Sequence, residues 1–352
     1  MRKYSKDDPR SICKTLSLIE ALKIMDSTDV KSLLVVDDNY EFTGVLSIGD
    51  IQRAIISSLP LSTKVHEVLR KNPRIATENT SIDTIKAEMI MHRMEFMPVI
   101  DSKRVIGMYF WEDLFLDKNL PPKSQFDLPV VIMAGGNGKR LRPLTNVIPK
   151  PLIPIGEKTI LEEIISGFKK FGCKDFFLTT NYKAELLRYY LENVELGVKL
   201  QFIRESEPLG TAGSLSLIRE KINGTFFVTN CDILIDQDYS EVLDFHRVNS
   251  NDITLIAALK HYPIAYGTLE TGEDGLLLGL SEKPEITLKI NTGMYIIEPQ
   301  VLNKIPENTF YHITELIESV RLSGGRVGVF PVSEKSWTDI GTWSDLLKLY
   351  PH

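Results

Sequence analysis

Residues 129–151 read PVVIMAGGNGKRLRPLTNVIPKP, an apolar run followed at once by glycines and basic residues. A strand that enters a glycine-rich turn brings backbone N–H groups close to phosphate oxygens. The spacing differs both from a Walker A loop and from the dinucleotide motif GxGxxG. Pro149 and Pro151 restrict the backbone on both sides of Lys150, and a rigidly held ammonium suits the neutralisation of phosphate. The stretch therefore predicts a phosphate-binding turn at the end of a buried strand.

The sequence after this turn alternates apolar runs with longer helical stretches. The apolar runs include DFFLTTN, TFFVTNCD and DITLIAAL, and helical spacing marks residues 160–171 and 183–193. Strands separated by helices favour an α/β fold with a Rossmann-like, mostly parallel sheet that is covered on both faces. Ligands of such sheets bind where the strands end.

The composition excludes several classes of protein. Hydrophobic residues make up 43% of the chain, but no apolar run approaches the roughly 20 residues of a membrane span, so we expect no membrane partner. The formal net charge of -6 and the absence of a long basic run argue against a nucleic acid partner. The three cysteines are too widely spaced for a disulfide framework or a structural zinc site. The segment MRKYSKDDPRS lacks the apolar core of a secretory signal, and we expect a cytoplasmic protein.

An imperfect internal repeat occupies the first third of the chain. The run LLVVDDNYEFTGVLSIGDI (33–51) aligns with MPVIDSKRVIGMYFWEDL (97–114). Each copy predicts two short strands and then a helix capped near its final Asp, with an amphipathic helix upstream at 17–25 and at 81–94. Two such units are expected to bury faces against each other.

This repeat resembles a pair of CBS domains, an α+β regulatory module that binds purine nucleotides in clefts between its copies. The resemblance implies that Ser47 and Asp50 hold the ribose and phosphate of a regulatory nucleotide. In the second copy Phe110 stands where the hydroxyl belongs, three residues before Asp113. The alternative is that Ser47, Asp50 and Asp113 only cap helices. Because such pairs often associate, the resemblance also implies a homo-oligomer, a dimer or higher.

The remainder of the chain, from residue 128 to residue 350, resembles the sugar-1-phosphate nucleotidyltransferase family, with the motifs in the family's order. The resemblance implies that the turn wraps the nucleoside triphosphate through Ala134, Gly135, Gly136 and Gly138. Arg140 and Lys150 would act as catalytic residues that hold its phosphates, including the departing pyrophosphate. Ordinary solvated charge is the alternative for these two side chains.

The run ESEPLGTAGSL, which begins at Glu205, resembles the segment that binds the base. Gly210 would lie at the base. Guanine presents N–H donors at N1 and N2, which a carboxylate can accept. Glu207 is therefore the candidate reader of guanine, and GTP is the expected donor. Glu207 could equally be a surface residue, and the branches for uracil and thymine stay open here.

Two aspartates carry the expected metal site. Asp232 follows the apolar run FFVTNC, and Asp339 lies in the polar turn WTDIGT. The resemblance implies that both bind Mg²⁺, an ion that prefers oxygen ligands and phosphates. Without the resemblance Asp232 is equally a turn residue, because Asp is common after strands.

The segments YGTLE, LSEKPE and NTGMYI lie between these aspartates and resemble the motifs for the acceptor sugar. The resemblance implies that Lys283 holds the sugar phosphate as a catalytic residue. Gly267, Glu282 and Asn291 would line the sugar pocket. The identity of the sugar, of the GDP-mannose or the GDP-glucosamine type, stays open.

The implied reaction is magnesium-dependent transfer of GMP from GTP to a sugar 1-phosphate, with release of pyrophosphate. No His, Cys or Ser arrangement indicates a covalent intermediate, and none is needed because a sugar phosphate is already an ionised nucleophile. Three alternatives stay open: a transferase that uses UTP or dTTP, an inactive nucleotide-sensing protein, and a cytidylyltransferase for an alcohol phosphate. The EKP and NTGMYI motifs favour a sugar acceptor over the last of these.

A linker is expected between the two resemblances. The segment DKNLPPKSQFDLP (117–129) loses periodicity and contains three prolines. A chain of 352 residues is also long enough for two separate cores. We expect a tandem CBS domain at 1–120, a linker at 121–127 and a catalytic domain at 128–352.

Overall fold

The computed structural model describes residues 1–115 and 122–350, and the chain divides into two compact units, Met1–Lys123 and Ser124–His352. Residue 121, the first of the expected linker, lies outside the described ranges. Within those ranges every helix is too short or too polar to cross a bilayer.

The N-terminal unit combines two three-stranded sheets with short helices. Its strands are β1 (Arg2–Lys3), β2 (Ser11–Cys13), β3 (Ser32–Val36), β4 (Phe42–Ser47), β5 (Phe96–Asp101) and β6 (Arg104–Phe110). Its helices are α1 (Leu18–Thr28), α2 (Ile48–Ile56), α3 (Val65–Val68), α4 (Ile82–His92) and α5 (Trp111–Leu114). The sheet orders are β2-β3-β4 and β1-β6-β5, so each copy of the repeat contributes a hairpin to its own sheet. This arrangement confirms the α+β repeat.

The helix starts in this unit follow from local capping. Ser17 and Ser81 accept backbone N–H groups of the first turns of α1 and α4, as the amphipathic patterns predict. Ser47 caps α2 in the same way. The expectation that Asp113 caps a helix is wrong. The helix α5 begins after Phe110, whose apolar side chain forms no cap. Asp113 instead accepts a hydrogen bond from the Arg2 side chain.

The C-terminal unit is an α/β domain. Its strands are β7 (Val130–Met133), β8 (Pro154–Ile155), β9 (Lys158–Thr159), β10 (Asp175–Thr180), β11 (Lys199–Arg204), β12 (Phe226–Asn230), β13 (Ile233–Ile235), β14 (Ile253–Pro263), β15 (Thr268–Thr271), β16 (Leu277–Ser281), β17 (Glu285–Ile297), β18 (Val327–Ser333) and β19 (Trp337–Asp339). Its α-helices are α6 (Ile160–Lys169), α7 (Ala184–Glu192), α8 (Gly210–Gly213), α9 (Tyr239–Val248), α10 (Ile313–Leu322) and α11 (Trp343–Lys348). Short 3-10 helices lie at Lys139–Leu141, Leu144–Asn146, Lys150–Leu152, Ser214–Ile218, Glu273–Gly275 and Pro299–Lys304.

A seven-stranded sheet of order β11-β10-β7-β12-β17-β14-β18 forms the centre of this unit. Every pairing is parallel except the two made by β17, which runs antiparallel to β12 and β14. The expected mostly parallel sheet is confirmed, with β17 as its antiparallel member.

Both faces of the sheet are covered. Val130 and Ile132 of β7 pack with α6, α7 and α9 in one buried cluster, while Val131 of the same strand packs with α8 and α10 in another. Successive side chains of a strand point to opposite faces, so a continuous apolar run is what a strand buried on both faces requires. The strand β7 is the third of the seven strands and is flanked on both sides, and the glycine-rich turn follows its carboxyl end.

Candidate active site

The turn after β7 is shaped by two close approaches. Gly138 has a φ of 58°, in the left-handed region, and its carbonyl accepts a hydrogen bond from Thr145 Oγ1 at 2.9 Å. At Gly135 a side chain is excluded, because a Cβ there would lie 2.5 Å from Oε1 of Glu205. Ala134 continues the sheet by donating its N–H to the Thr179 carbonyl at 2.9 Å. The turn thus bends sharply at the carboxyl end of a central strand, where parallel sheets bind ligands.

Lys150 projects from a short 3-10 turn that begins after Pro149. Its side chain is 9% exposed, and its ammonium forms an ion pair with the Asp232 carboxylate. A buried ammonium is retained only where anions surround it. The structure therefore holds Lys150 in place, as the flanking prolines predict, and directs it at one of the expected metal ligands.

Asp232 and Asp339 are brought together by a small two-stranded ladder outside the main sheet. In it β13 pairs with β19 antiparallel, with Ile233 opposite Asp339, and the Ile340 N–H donates to the Asp232 carbonyl at 2.8 Å. Burial raises the pKa of Asp339, and the neighbouring Asp232 carboxylate raises it further. Because the carboxylates of Asp232 and Asp339 repel each other, cations nearby are needed to stabilise their ionised forms.

Arg140 and Lys150 supply part of that positive charge. The Arg140 guanidinium lies beside Asp339, since a Cβ on Gly341 would be 2.8 Å from Arg140 Nη2 and 2.7 Å from Asp339 Oδ1. Both cations lower the pKa of Asp339 and so oppose the effects of burial and of Asp232. Four side chains from distant parts of the sequence, Arg140, Lys150, Asp232 and Asp339, thus form one charged cluster at the turn.

The donor set of this cluster fits Mg²⁺. Among residues 1–115 and 122–350, no group of three or more His, Cys, Asp or Glu side chains could hold a metal alone. Mg²⁺ is usually bound through one or two carboxylates, with substrate phosphates and water completing its ligands. Asp232 and Asp339 match that arrangement.

The base-binding segment contains two glutamates with different surroundings. Glu207 is exposed, whereas Glu205 is buried and follows directly after β11. Glu205 Oε2 accepts the Leu209 N–H at 3.1 Å, and its Oε1 lies against Gly135 of the phosphate turn. Burial raises the pKa of Glu205, and the hydrogen bonds from the Leu209 N–H and the Thr179 hydroxyl oppose this shift. Glu205 is therefore the buried glutamate of the pair, and its carboxylate lies beside the turn.

Sequence reasoning missed Glu205, although a signal for it was present. The run KLQFIRE predicts a strand, and the rule that ligands bind at the carboxyl ends of parallel strands selects the first residue after that strand. Glu205 is that residue, and β11 is parallel to β10 in the sheet.

Gly210 is held by a second segment. It opens α8, and a side chain there would lie 2.8 Å from the Tyr311 carbonyl oxygen. The same carbonyl accepts the N–H groups of Ala212 and Gly213 at 2.9 and 3.1 Å, and Thr211 Oγ1 accepts the Ile313 N–H at the start of α10. The glycines of GTAG are thus explained by this close backbone packing.

The residues expected to bind the acceptor fall into two groups. Gly267 and Glu282 are adjacent, since a Cβ on Gly267 would be 3.1 Å from Glu282 Oε2, and Lys283 follows with a φ of 45°. Asn291 lies further along β17, where its Oδ1 accepts the Gly293 N–H at 3.0 Å. Among the described residues, no hydrogen bond or ion pair joins Asn291 to the other three.

Asn291 lies on β17 next to the end of β12, the strand that leads to Asp232. A Cβ on Gly293 would lie 2.4 Å from Nδ2 of Asn230, two residues before Asp232. The hydroxyl of Tyr295 also bonds Asn291, although burial raises the pKa of Tyr295 to about 12. Asn291 therefore lies at the edge of the sheet that carries Asp232.

In the N-terminal unit the structure brings Ser47 and Asp50 together. Asp50 accepts the Ser47 N–H at 2.8 Å and its hydroxyl at 2.5 Å, and it forms ion pairs with Arg53 and Arg70, both mostly exposed. Burial alone would raise the pKa of Asp50, but these hydrogen bonds and charges hold it below the usual value. The capping role is present, and two exposed guanidinium groups lie next to it.

The second copy differs at the equivalent position. Phe110 is buried, with the guanidinium carbons of Arg2 and Arg10 at 4.6 and 4.1 Å from its ring centre. Arg2 also pairs with Glu112 and Asp113. An apolar ring thus occupies the position where Ser47 presents a hydroxyl in the first copy.

These features define an α/β protein with a cluster of charged side chains beside a glycine-rich turn, at the carboxyl end of a parallel strand. A family model described as nucleotidyl transferase matches residues 129–352, and the CBS domain model matches residues 1–57 and 65–116. The first match covers more than half of the chain. The chain therefore belongs to the nucleotidyl transferase family and carries a CBS pair at its N-terminus.

Two relatives illustrate the family. The mannose-1-phosphate guanylyltransferase catalytic subunit beta of Drosophila pseudoobscura pseudoobscura is 38% identical over 182 residues, which cover 50% of this chain and 49% of that protein. The subunit of the same name from Dictyostelium discoideum is 34% identical over 228 residues, 62% of this chain and 63% of its own. This chain thus spans between about half and just under two thirds of the length of these curated relatives.

A solved structure agrees with the fold. The crystal structure of HddC from Yersinia pseudotuberculosis matches with a TM-score of 0.50 and 28% identity, covering 63% of this chain and 97% of that one. A second structure of HddC, complexed with GMP-PN, also matches with a TM-score of 0.50, at 25% identity and the same coverage.

Proposed function

We propose that this protein transfers GMP from GTP to a sugar 1-phosphate in a Mg²⁺-dependent reaction, giving a GDP-sugar and pyrophosphate. The observation that carries the proposal is the cluster of Asp232, Asp339, Lys150 and Arg140 beside the glycine-rich turn. Two carboxylates and two cations at the end of a central strand suit a substrate with several phosphates and a divalent ion.

The choice of guanine as the base of the donor nucleotide is supported by Glu205 and by the relatives. We propose Glu205, rather than the exposed Glu207, as the carboxylate that accepts the N1 and N2 N–H groups of guanine. Its Oε2 accepts the Leu209 N–H and the Thr179 hydroxyl also bonds the carboxylate, and we propose that Oε1, beside Gly135, accepts from the base. Relatives named guanylyltransferases and the HddC complex with GMP-PN agree with this choice.

The chain's own groups would align and neutralise the reactants. Backbone N–H groups around Gly136 and the side chains of Arg140 and Lys150 would hold the triphosphate. The phosphate oxygen of the sugar 1-phosphate attacks the α-phosphorus, the bond from that phosphorus to the bridging oxygen breaks, and pyrophosphate leaves with the electron pair. Mg²⁺, held by Asp232 and Asp339, would neutralise charge on the phosphates.

The acceptor would be held by the remaining predicted residues. We propose that Lys283 binds the sugar phosphate while Glu282 and Asn291 accept or donate hydrogen bonds to sugar hydroxyls, with Gly267 leaving room for the ring. The contact between Gly267 and Glu282 supports a common pocket for these two. We also propose the domain bounds 1–120 and 128–352 and a cytoplasmic location.

A substrate matrix tests the enzyme. The purified chain is incubated with each of GTP, ATP, UTP and dTTP against mannose, glucose and glucosamine 1-phosphates, with and without Mg²⁺, and the products are identified by mass spectrometry. The proposal requires a GDP-sugar and pyrophosphate only when Mg²⁺ is present. An absence of any nucleotide sugar in the whole matrix would contradict it.

We further propose that a purine nucleotide binds the CBS pair at Ser47 and Asp50. The exposed guanidinium groups of Arg53 and Arg70 support phosphate binding there. The test measures the effect of adenine and guanine nucleotides on the rate of the full chain and of its Arg53→Ala variant. A nucleotide effect that the variant lacks supports the site, and an equal effect in both chains contradicts it.

A further inference from the structure

The residues that follow β10 donate side-chain hydrogen bonds to two different loops. Asn181 Nδ2 donates to the main-chain carbonyl of Glu205 at 3.1 Å, and the Tyr182 hydroxyl donates to the main-chain carbonyl of Thr145 at 3.1 Å. The first acceptor begins the base-binding segment, and the second lies in the continuation of the glycine-rich turn. Because it bonds both loops, we call residues 181–183 the NYK bridge.

Lys183 adds two bonds on the side of the turn. Its ammonium donates to the main-chain carbonyls of Asn146 and Val147 and lies 5.5 Å from the centre of the Tyr182 ring. The φ of Lys183 is 52°, in the left-handed region, which costs free energy for a residue with a Cβ. Such a conformation persists where the surrounding structure fixes it, and here it accompanies a side chain that bonds two carbonyls at once.

The carbonyls that accept from Tyr182 and Lys183 lie at the end of the 3-10 helix Leu144–Asn146. The last carbonyls of a helix lack partners within it, and a basic side chain is one way to satisfy them. The side chains of Asn146 and Val147 are exposed, so their burial does not hold this segment in place. Its position therefore depends in part on the NYK bridge.

Thr145 connects this segment to the proposed phosphate site. It is buried, and its Oγ1 donates to the Gly138 carbonyl at 2.9 Å. A Cβ on Gly138 would lie 2.8 Å from Thr145 Cγ2 and 3.5 Å from Lys150 Cβ, so the three residues are packed together. A displacement of Thr145 would consequently disturb both the turn and Lys150.

The order of the strands explains why the NYK bridge can bond both loops. The strand β10 lies between β7 and β11, and all three run parallel, so their carboxyl ends meet at one edge of the sheet. The glycine-rich turn follows β7, and Glu205 follows β11. The two loops thus come from strands that are not neighbours, and the bridge fills the place between them.

We propose that Asn181, Tyr182 and Lys183 are positioning residues that fix the base-binding segment relative to the glycine-rich turn. This inference rests on the proposed function, in which one GTP molecule spans both loops. A shift of either loop would move the α-phosphorus away from the attacking oxygen, and a misplacement of about 1 Å can lower a rate by roughly 100-fold. The three side chains act through Glu205 on one side and through Thr145 and its neighbours on the other.

Two variants test the two sides of the bridge separately. Asn181→Ala should lower the ratio of kcat/KM for GTP to kcat/KM for ITP by roughly three- to tenfold, as expected for one lost hydrogen bond. It should leave the inhibition constant of pyrophosphate unchanged. Tyr182→Phe should raise that inhibition constant by roughly three- to tenfold and leave the ratio unchanged.

The matched control is Tyr189→Phe, at a tyrosine of α7 that is 71% exposed, and it should change neither quantity. If Asn181→Ala and Tyr182→Phe altered both quantities to the same extent, or altered neither, the division of the bridge into two sides would be overturned.

Lys183 is tested by loss and rescue. Lys183→Met should lower kcat by roughly tenfold or more, because two carbonyls lose their donor. Lys183→Arg should recover most of the rate, since a guanidinium can also donate to two acceptors. Both variants should keep the wild-type preference for GTP over ITP. A methionine variant with full kcat, or an arginine variant as slow as the methionine variant, would overturn the role of Lys183.

Hydrogen exchange tests the bridge independently of activity. In the full chain, Tyr182→Phe should speed exchange of the amides of residues 146–148, which donate within their own segment, by roughly threefold or more. Asn181→Ala should do the same for the Leu209 amide, which donates to Glu205. Wild-type exchange rates in both variants would overturn the bridge even in an active enzyme. Failure to form any nucleotide sugar would instead refute the proposed function and leave these expected rates unchanged.

Discussion

The exchange of Glu205 for glutamine tests the base assignment at a single atom. Of the two carboxylate oxygens, Oε2 accepts the Leu209 N–H at 3.1 Å and Oε1 lies against Gly135. Glutamine has one acceptor oxygen, so it cannot serve Leu209 and guanine together. The lost hydrogen bond is charge-assisted and buried, worth roughly 1.5–3 kcal/mol, and kcat/KM for GTP should fall by roughly 10- to 150-fold.

The assay compares GTP with ITP, whose base lacks the 2-amino group. The wild-type chain should prefer GTP, and Glu205→Gln should lose most of this preference because the Oε1 acceptor proposed for the guanine N–H groups is gone. The matched control is Glu207→Gln, two residues away and exposed, which should keep both rates. Loss of GTP preference in the Glu207 variant, with retention in the Glu205 variant, would refute the reasoning.

The Glu205→Gln variant should be at least as stable to unfolding as the wild type. Burial raises the pKa of Glu205, so the folded chain binds this proton more tightly than the unfolded chain does, and ionisation at neutral pH costs folding free energy. Glutamine removes that cost and can still accept the Leu209 N–H. The melting temperature of Glu205→Gln at pH 7 should therefore be no lower than that of the wild type, which separates an effect on the base from a loss of folded protein.

Two further variants address the charged cluster and the turn. Asp232→Asn should lower pyrophosphate release by at least about 100-fold with an unchanged circular dichroism spectrum, whereas Asp274→Asn, on the exposed hairpin tip, should not; full activity of the first would contradict the metal assignment. Gly138→Ala should destabilise the chain by about 1–2 kcal/mol, because φ there is 58° and the added methyl would lie 2.8 Å from Thr145. Gly136→Ala should melt at the wild-type temperature, since its methyl would meet nothing within 4 Å, and equal melting temperatures for both glycine variants would show that the turn relaxes freely.

Local features of the sequence predict much of this fold. The run before Met133 indicates a buried strand, and the serines before α1 and α4 indicate where those helices begin. These features depend on neighbouring residues alone. The antiparallel direction of β17 does not, because an apolar run has the same composition in either direction and only its partners decide its orientation.

The part of the site that depends on neighbouring residues could also be predicted from the sequence. The glycine-rich turn and Asp232 follow directly from strands, whereas Asp339 is paired with Asp232 only through the ladder of β13 with β19, more than 100 residues apart in sequence. Burial separates Glu205 from Glu207, and burial depends on where β11 ends against the phosphate turn. Composition also does not reveal that the leucines of the β15–β16 hairpin lie in solvent, because apolar side chains are expected to be covered.

The ladder of β13 with β19 affects how specificity for the acceptor sugar could pass from one related protein to another. The chain leaves Asp232, builds the segment that contains Gly267, Glu282 and Asn291, and returns beside its starting point at Asp339. All the proposed acceptor residues therefore lie in one uninterrupted stretch whose two ends are neighbours, while the residues proposed for GTP precede it. A single recombination of that stretch between relatives, with matching central strands, would exchange the sugar specificity and leave the triphosphate half of the site untouched.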